Sequence, residues 1–426
     1  MRIHFVGCEG ASMKVLMNIA KSDGATVSGS DALLNGHRAE FAEGADEVVY
    51  SSAVPYENPE LAYAREHGIK ILSRAEFLGE LASRYGTTVA VAGSHGKTTV
   101  TAMLGCIFEP LNPTVHLGGE YGGKCGRVGG KKIFVTEACE YKRNFLHLLP
   151  KISVVLNVEL DHTDYYRDIA DITSAFDVFS RSAPVRVLSG DDSASEPLRR
   201  GKYITFGLGE NCDYRAANAS YYRGGAEFTL YRFGKPLGII KLRVMGKHNV
   251  LNALAACAAA MSAGMEYSLI KRGLESFEGA GRRLEFLGSA AGCDVFSDYA
   301  HHPHEIESVI ECLRSAGYER VGIAFEPHTY TRTQSLMDGF VKSLCGADEI
   351  LLAEIYAARE QPVAGVSSQV LCRGILDCGR SARVFSQYCE LNRSALLVAE
   401  KCDALVFCGA GTIDIAARKF AQMQKN

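Results

Sequence analysis

Residues 88–99, TVAVAGSHGKTT, constrain this chain more than any other stretch. The apolar run Thr88-Val89-Ala90-Val91-Ala92 reads as a buried strand, and residues 100–108 suit a helix. Between them lies Gly93-Ser94-His95-Gly96-Lys97-Thr98-Thr99. A strand, a glycine loop ending in Lys-Thr, and a helix form the layout of a phosphate cradle. Backbone N–H groups and the helix N-terminus favour an anion, lysine adds a positive charge at the outer phosphates, and the threonine hydroxyl can sit on Mg²⁺. Val91 stands where the long pattern G-x-x-x-x-G-K-[ST] has its first glycine, so the loop follows a shorter form. Alone, it leaves open both a nucleotide site and an ordinary strand–helix turn.

A length of 426 residues points to two to four domains. With 47% hydrophobic and 22% charged residues the chain reads as globular, and a net charge of −3 gives no general attraction to nucleic acid. No apolar run is long enough for membrane insertion. The N-terminus reads as a first strand rather than a signal peptide. The 14 cysteines include no C-x-x-C pair, and Cys257, Cys345 and Cys408 lie in apolar stretches. Reduced core thiols and a cytoplasmic location are expected.

Three segments follow in order. In residues 1–83, strands at 3–6 and 25–30 flank a helix at 14–22, the start of a Rossmann-like unit. Gly7 and Gly10 lie in its first loop, with Glu9 and Ser12 where glycines would help, and Asp31 ends the second strand. Ser51 and Ser52 follow a strand at 48–50. Residues 84–286 hold the loop and three further strands, at 132–136, 152–158 and 185–188. Glu137 and Asp161-His162 follow two of these, at the sheet edge where Lys97 lies and where ligands of open parallel sheets bind. For either site taken alone, a helix cap or solvated turn is the favoured explanation. Beside a phosphate loop they point to a metal–nucleotide site, with Glu137 the easier oxygen ligand for Mg²⁺ and His162 either on a second, softer ion or orienting a water.

Alternation over residues 213–245 predicts an antiparallel patch. A helix over 250–263 opens with Asn249 and Asn252 on one face, either an N-cap plus an unexplained neighbour or a pair for a base. Residues 287–426 alternate strands (295–297, 321–325, 349–355, 404–408) with helices, including 304–316 and 333–345, a second Rossmann-like sheet. Its strand ends carry DYAHHP (298–303), EPHTYTR (326–332), IYAARE (355–360) and GAGT (409–412), which together read as a substrate-binding rim.

Taken together, VSGSD (27–31), SSAV (51–54), NPEL (58–61), AGSHGKTT (92–99), NVELDH (157–162), HNVLNALAA (248–256), RRLE (282–285), DYAHHPHEI (298–306), PHTYTRT (327–333) and IYAARE resemble the Mur ligases. Within that family they are most similar to members that join L-alanine to UDP-N-acetylmuramate in peptidoglycan precursor synthesis. The resemblance implies an α/β chain of three domains: an N-terminal Rossmann-like UDP-sugar domain (1–83), a central P-loop ATPase-type sheet with a small antiparallel patch (84–286), and a C-terminal Rossmann-like amino-acid domain (287–426). It implies an ATP-dependent ligase with Mg²⁺ or Mn²⁺, acting as a monomer or weak homodimer.

Carried onto this sequence, the resemblance makes Lys97, Glu137 and His162 catalytic, with Thr98, Glu137 and His162 on the metal. ATP falls to the loop residues Gly93, Ser94, His95, Gly96, Lys97, Thr98 and Thr99, and to Asn249, Asn252, Arg283 and Asp298. Gly7, Gly10, Asp31, Ser51 and Ser52 face the UDP-sugar; Tyr299, His328 and Arg332 face the amino acid. Three places depart from the family pattern: Glu9 and Ser12; the run Cys139-Glu140-Tyr141-Lys142-Arg143, less acidic than in many members; and Thr329, where many alanine-adding members have arginine. The rival readings are a ligase for another amino acid or peptide on the same sugar nucleotide, a non-ligating sensor of that nucleotide, and a generic P-loop ATPase.

Overall fold

The computed structural model describes residues 1–163 and 165–423. Two compact units result. One takes residues 1–219, 227–242 and 248–278; the other takes 220–226, 243–247 and the chain from Gly279 onward.

The first unit begins with a four-stranded parallel sheet of β1 (Arg2–Val6), β2 (Thr26–Ser30), β3 (Glu47–Tyr50) and β4 (Lys70–Ser73), ordered β2-β1-β3-β4. Ile3, Phe5 and Val6 are buried, as parallel strands covered by helices require. The covering helices carry start signals. Pro59–Glu66 opens with proline and is capped by the Asn58 side chain, and Arg74–Ala82 has a Ser73/Glu76 capping box.

The central sheet comprises β5 (Thr87–Ala92), β6 (Thr114–Tyr121), β7 (Lys124–Arg127), β8 (Ile133–Glu137), β9 (Ile152–Val155), β10 (Val185–Ser189), β11 (Ile204–Gly207), β12 (Tyr214–Tyr222), β13 (Gly225–Arg232) and β14 (Lys235–Leu242). Its order is β14-β13-β12-β11-β10-β9-β5-β8-β6-β7. The strand before the phosphate loop, β5, is interior and pairs in parallel with β8 and β9. That register brings the ends of β5, β8 and β9 to one edge. The expected strands at 132–136, 152–158 and 185–188 are present, the second ending at Val155. β6, β7 and β11 were not foreseen: β6 reads TVHLGGEY, whose glycines and histidine break any apolar run. Helix Lys247–Ser262 buries its alanine face completely and ends before Gly264, at φ +88°.

The two sheets of this unit share one core. Phe5, Phe77, Leu78 and Leu81 cluster with Phe134, Phe145, Phe176 and Phe179. Phe5 meets Phe77 edge-on at 5.5 Å and Tyr85 stacks on Phe134 at 4.8 Å. Ser12 has a use here: its hydroxyl lies 2.8 Å from Nε2 of buried His116 on β6 and accepts a bond from Arg74.

In the second unit, β15 (Glu285–Ala290), β16 (Cys293–Asp298), β17 (Val321–Phe325), β18 (Glu349–Ala353), β19 (Ala382–Phe385) and β20 (Ala404–Cys408) are ordered β15-β16-β20-β17-β18-β19. β15 is antiparallel to β16; the other pairings are parallel. Separate hydrophobic clusters cover the two faces. The single helix expected over 333–345 is two, Tyr330–Ser335 and Met337–Leu344, broken at Leu336. The α/β class, the central sheet with its antiparallel patch and the C-terminal sheet agree with the sequence reading. All fourteen cysteines are free thiols. Among the described residues no helix is long and apolar enough to cross a membrane.

Candidate functional site

The phosphate loop is built between β5 and helix Lys97–Ile107. Gly96 sits at φ +85°, and a Cβ there would lie 2.7 Å from Oδ1 of Asn252 and 3.1 Å from Leu156, so only glycine fits. The loop is clamped from the end of β9. Asn157 accepts from the His95 N–H at 2.8 Å and returns a bond to the His95 carbonyl at 3.2 Å. The Ser94 hydroxyl accepts from the Glu159 N–H at 2.8 Å, and His95 Nε2 lies 3.2 Å from the Glu159 carboxylate. Asn157 had no assigned role in the sequence; its signal was only its place in NVELDH.

Lys97 folds back over this loop. Its ammonium donates to the Gly93 carbonyl, to the Ser94 carbonyl at 3.3 Å, and to Glu140 at 3.0 Å. Burial works against its charge, but Glu140 outweighs that, and its pKa lies above the ordinary lysine value. Glu140 is buried, its backbone carbonyl held by the Tyr166 hydroxyl at 2.6 Å. His162 Nε2 stands 3.8 Å from both Glu140 and Asp161. The backbone of His162 is left-handed at φ +54°, as are Lys142 at φ +51° and Arg143 at φ +58°. Such conformations in L-residues persist only where surrounding structure enforces them. Burial would raise the Asp161 carboxyl, but the neighbouring His162 with its backbone N–H, and the Lys97 charge, hold it low.

Glu140, Asp161 and His162 place one ligand atom each within 4.8 Å of one another, the single such group among the described residues. Two carboxylates and an imidazole fit a small divalent cation. Glu137 is not in that group: Gly118 N–H on β6 donates to it at 2.7 Å, and its charge still acts on Lys97. Thr98 also faces β6, where a Cβ on Gly119 would lie 3.0 Å from its methyl group. Lys97 and His162 are thus brought together, with Glu140 between them, while Glu137 and Thr98 both meet the Gly118-Gly119 end of β6.

Asn249 and Asn252 both lie inside their helix and are buried, which removes the N-cap explanation for Asn249. Asn252 donates to Asn249 Oδ1 at 3.2 Å, and its own Oδ1 faces Gly96. At the first sheet, Gly7 and Cys8 donate N–H bonds to the Ser30 carbonyl at 2.8 and 3.0 Å. Asp31 accepts from the N–H groups of Glu9 and Leu33, each at 3.0 Å. Burial would raise its pKa; these N–H groups hold it low. Gly7, at φ +78°, faces Ser51. Gly10 is the N-cap of helix Ala11–Ser22, and exposed Ser52 follows Ser51. Glu9 turns outward to Lys14 at 2.7 Å.

In the second unit, Asp298 is buried and accepts from the N–H groups of Leu284 and Ala300, each at 2.7 Å. Burial raises its pKa despite the Arg283 charge. Arg282 and Arg283 both face the Tyr299 ring, at 4.7 and 5.5 Å from its centroid. From Tyr299 a series of rings continues: to His301 at 5.2 Å, from there to His328 at 5.9 Å, and on to Tyr356 at 5.6 Å. Arg332 donates to His328 Nδ1 at 3.4 Å. Burial, then Arg332 and His301, push His328 down to about 4, so it is neutral at pH 7. Tyr299, His328 and Arg332 therefore stand in one neighbourhood, joined by His301 and Tyr356.

Family models described as Mur ligase family, catalytic domain; Mur ligase middle domain; and Mur ligase, glutamate ligase domain match residues 2–86, 91–260 and 282–411. A UDP-N-acetylmuramate–L-alanine ligase of Acetivibrio thermocellus is 39% identical over 438 aligned residues, 96% of this chain and 93% of the relative. One from Caldanaerobacter subterraneus subsp. tengcongensis is 38% identical, over 100% of this chain and 98% of its own. The crystal structure of UDP-N-acetylmuramate-alanine ligase from Thermotoga maritima superposes with a TM-score of 0.83 at 27% identity, covering 100% of this chain and 99% of that one. A murein peptide ligase from Psychrobacter arcticus shares the fold, with a TM-score of 0.68 at 24% identity. Matched from end to end in one order, the chain belongs to the Mur ligase family.

Proposed function

We propose that this chain ligates L-alanine to the carboxylate of UDP-N-acetylmuramate, using ATP, in peptidoglycan precursor synthesis. The observation that carries this reading is the clamped Gly93–Thr99 loop with Lys97, Glu140 and His162 at one sheet edge, in a chain similar throughout to alanine-adding ligases. Residues 1–83 serve the UDP-sugar through Gly7, Gly10, Asp31, Ser51 and Ser52; residues 84–286 serve ATP; residues 287–426 serve the amino acid. The enzyme works in the cytoplasm, as a monomer or weak homodimer.

In the proposed reaction a carboxylate oxygen of the sugar attacks the γ-phosphorus of ATP, and ADP leaves. The alanine amine then attacks the acyl phosphate, an amide forms and phosphate departs. Such transfers need positioning and charge neutralisation above all. Lys97 exchanges its carbonyl partners for the phosphate, with Glu140 keeping it charged. Mg²⁺ or Mn²⁺, held by His162, Glu140 and Asp161, would neutralise phosphate charge; the alternative set is His162, Thr98 and Glu137, of which only His162 belongs to that group. Asn249 and Asn252 offer hydrogen bonds to the nucleoside, and Arg283 and Asp298 serve the nucleotide. Neutral His328 and charged Arg332 receive the amino acid with Tyr299.

Phosphate release with UDP-N-acetylmuramate, ATP and a panel of amino acids tests the reading. Turnover is expected with L-alanine. A different preferred amino acid would reassign specificity, absence of amino-acid-dependent ADP would support a sensor, and turnover indifferent to both other substrates a plain ATPase.

A further inference from the structure

Thr329 lies between two residues of the amino-acid site and has a backbone that threonine avoids. Its φ of 64° and ψ of 148° belong to a region populated almost only by glycine. A β-branched side chain makes the conformation less favourable still. Something must hold it.

Two sets of bonds do. The strand-like segment around Tyr356 pairs with it: Thr329 N–H donates to the Tyr356 carbonyl at 2.9 Å, and Tyr356 N–H to the Pro327 carbonyl at 2.8 Å. From the other side comes Glu360. Its carboxylate accepts the Thr331 N–H at 2.9 Å and the Thr331 hydroxyl at 2.5 Å. The Thr331 hydroxyl, and then its N–H, hold that carboxyl below the usual range. Charge-assisted bonds of this kind are the strong ones. The product of the clamp is a turn that sets His328 and Arg332, on either side of Thr329, 3.4 Å apart.

We propose that Glu360 is a positioning residue of the amino-acid site, holding Thr329 in its unfavourable conformation so that His328 and Arg332 act as a pair. Released from Glu360, Thr329 relaxes to an ordinary backbone conformation, and the residues flanking it separate. This rests on the assignment of His328 and Arg332 to the incoming amino acid.

The test uses the full chain with Glu360→Ala, Glu360→Gln, and Thr329→Gly in the Glu360→Ala background. In Glu360→Ala the KM for L-alanine is expected to rise about tenfold, with kcat and the KM values for ATP and the sugar nucleotide within about twofold. Glu360→Gln, which keeps an acceptor oxygen, should fall between. Thr329→Gly, which needs no clamp, should bring the KM back. An unchanged KM for L-alanine overturns the proposal, as does a rise of all three KM values with a lower Tm. If the wild type prefers another amino acid, the functional reading fails and the same comparison is made with that substrate.

An NMR titration of His328 decides the matter if no amino acid is used. Arg332, His301, Tyr356 and Glu360 are the groups around its ring. Loss of the Glu360 charge alone would lower its pKa further. Loss of the pairing and of burial would raise it from about 4 towards 6.5, and that rise is the expected result. A fall or no change counts against the clamp.

Discussion

At the scale of the residue, the pair Lys97–Glu140 sharpens what the loop implies. The lysine was readable from G-x-x-G-K-T-T, because the motif states its chemistry. Glu140 was not chosen, because Glu137 ends a strand and Glu140 lies three residues into a run that looks like an ordinary turn. Its direction follows from the Tyr166 hydroxyl on its carbonyl and from the left-handed backbone at Lys142 and Arg143, none of which has a local signature. Lys97→Ala is expected to abolish ligation. It should also lower stability by roughly 3 kcal/mol, because it leaves the Glu140 carboxylate buried beside Asp161. Adding Glu140→Gln should recover part of that stability and none of the turnover, with urea unfolding and phosphate release as the two readouts. If Lys97→Ala turns over normally, the loop is not the phosphate site. Glu140→Ala should raise the Mg²⁺ concentration needed for half-maximal activity by about tenfold or more, and Glu137→Ala much less; the reverse order would return the metal to Glu137.

At the scale of the element, strands with continuous apolar runs or regular alternation were legible, and irregular ones were not. β17 and β20 stand where they were expected, while β6, β15 and β19 needed partners to become strands. Helix Pro59–Glu66 shows what an element carries beyond its own capping. Glu60, fully buried, lies 2.6 Å from His4 Nε2 on β1, 2.6 Å from the Ser30 hydroxyl on β2 and 2.9 Å from His37. Burial alone would raise its pKa; those three partners hold it below the ordinary 4.5. A depressed carboxyl contributes stability that is complete above its unfolded value and lost as pH falls through its folded one. Unfolding stability should therefore drop below about pH 4.5. Glu60→Gln should cost roughly 3 kcal/mol at pH 7 and flatten that acid limb. An acid limb equally steep in the variant would exclude Glu60 as its source.

At the scale of the molecule, the first two sheets are one body. Ala82 and Tyr85, on either side of the expected boundary at residue 83, belong to the same hydrophobic cluster as Phe5 and Phe176. Burying each phenylalanine of that cluster is worth about 1.5–3 kcal/mol, so a fragment losing several such contacts has little left to fold with. The fragment 1–83 expressed alone is expected to give a collapsed amide NMR spectrum and rapid proteolysis, while the full chain resists. A dispersed spectrum from the fragment would show that the first sheet is independently stable.

By itself the sequence determined the α/β class, the strand–glycine loop–helix at residues 88–107 and the family, because glycine spacing, apolar periodicity and short motifs act over a few neighbouring residues. It also marked Lys97, His162 and Asn252. Only the tertiary structure decided that Glu140 faces Lys97, that Asn157 clamps the loop, and that Glu360 bonds Thr331 just beyond Thr329. The structure likewise turned Ser12 from a missing glycine into a bond from the helix Ala11–Ser22 to His116 on β6. These are contacts between residues far apart in the chain or placed by unusual backbone angles. Their energies come from burial and hydrogen bonding that no local pattern records. The loop was legible because its chemistry is local; its partners were not, because packing chose them.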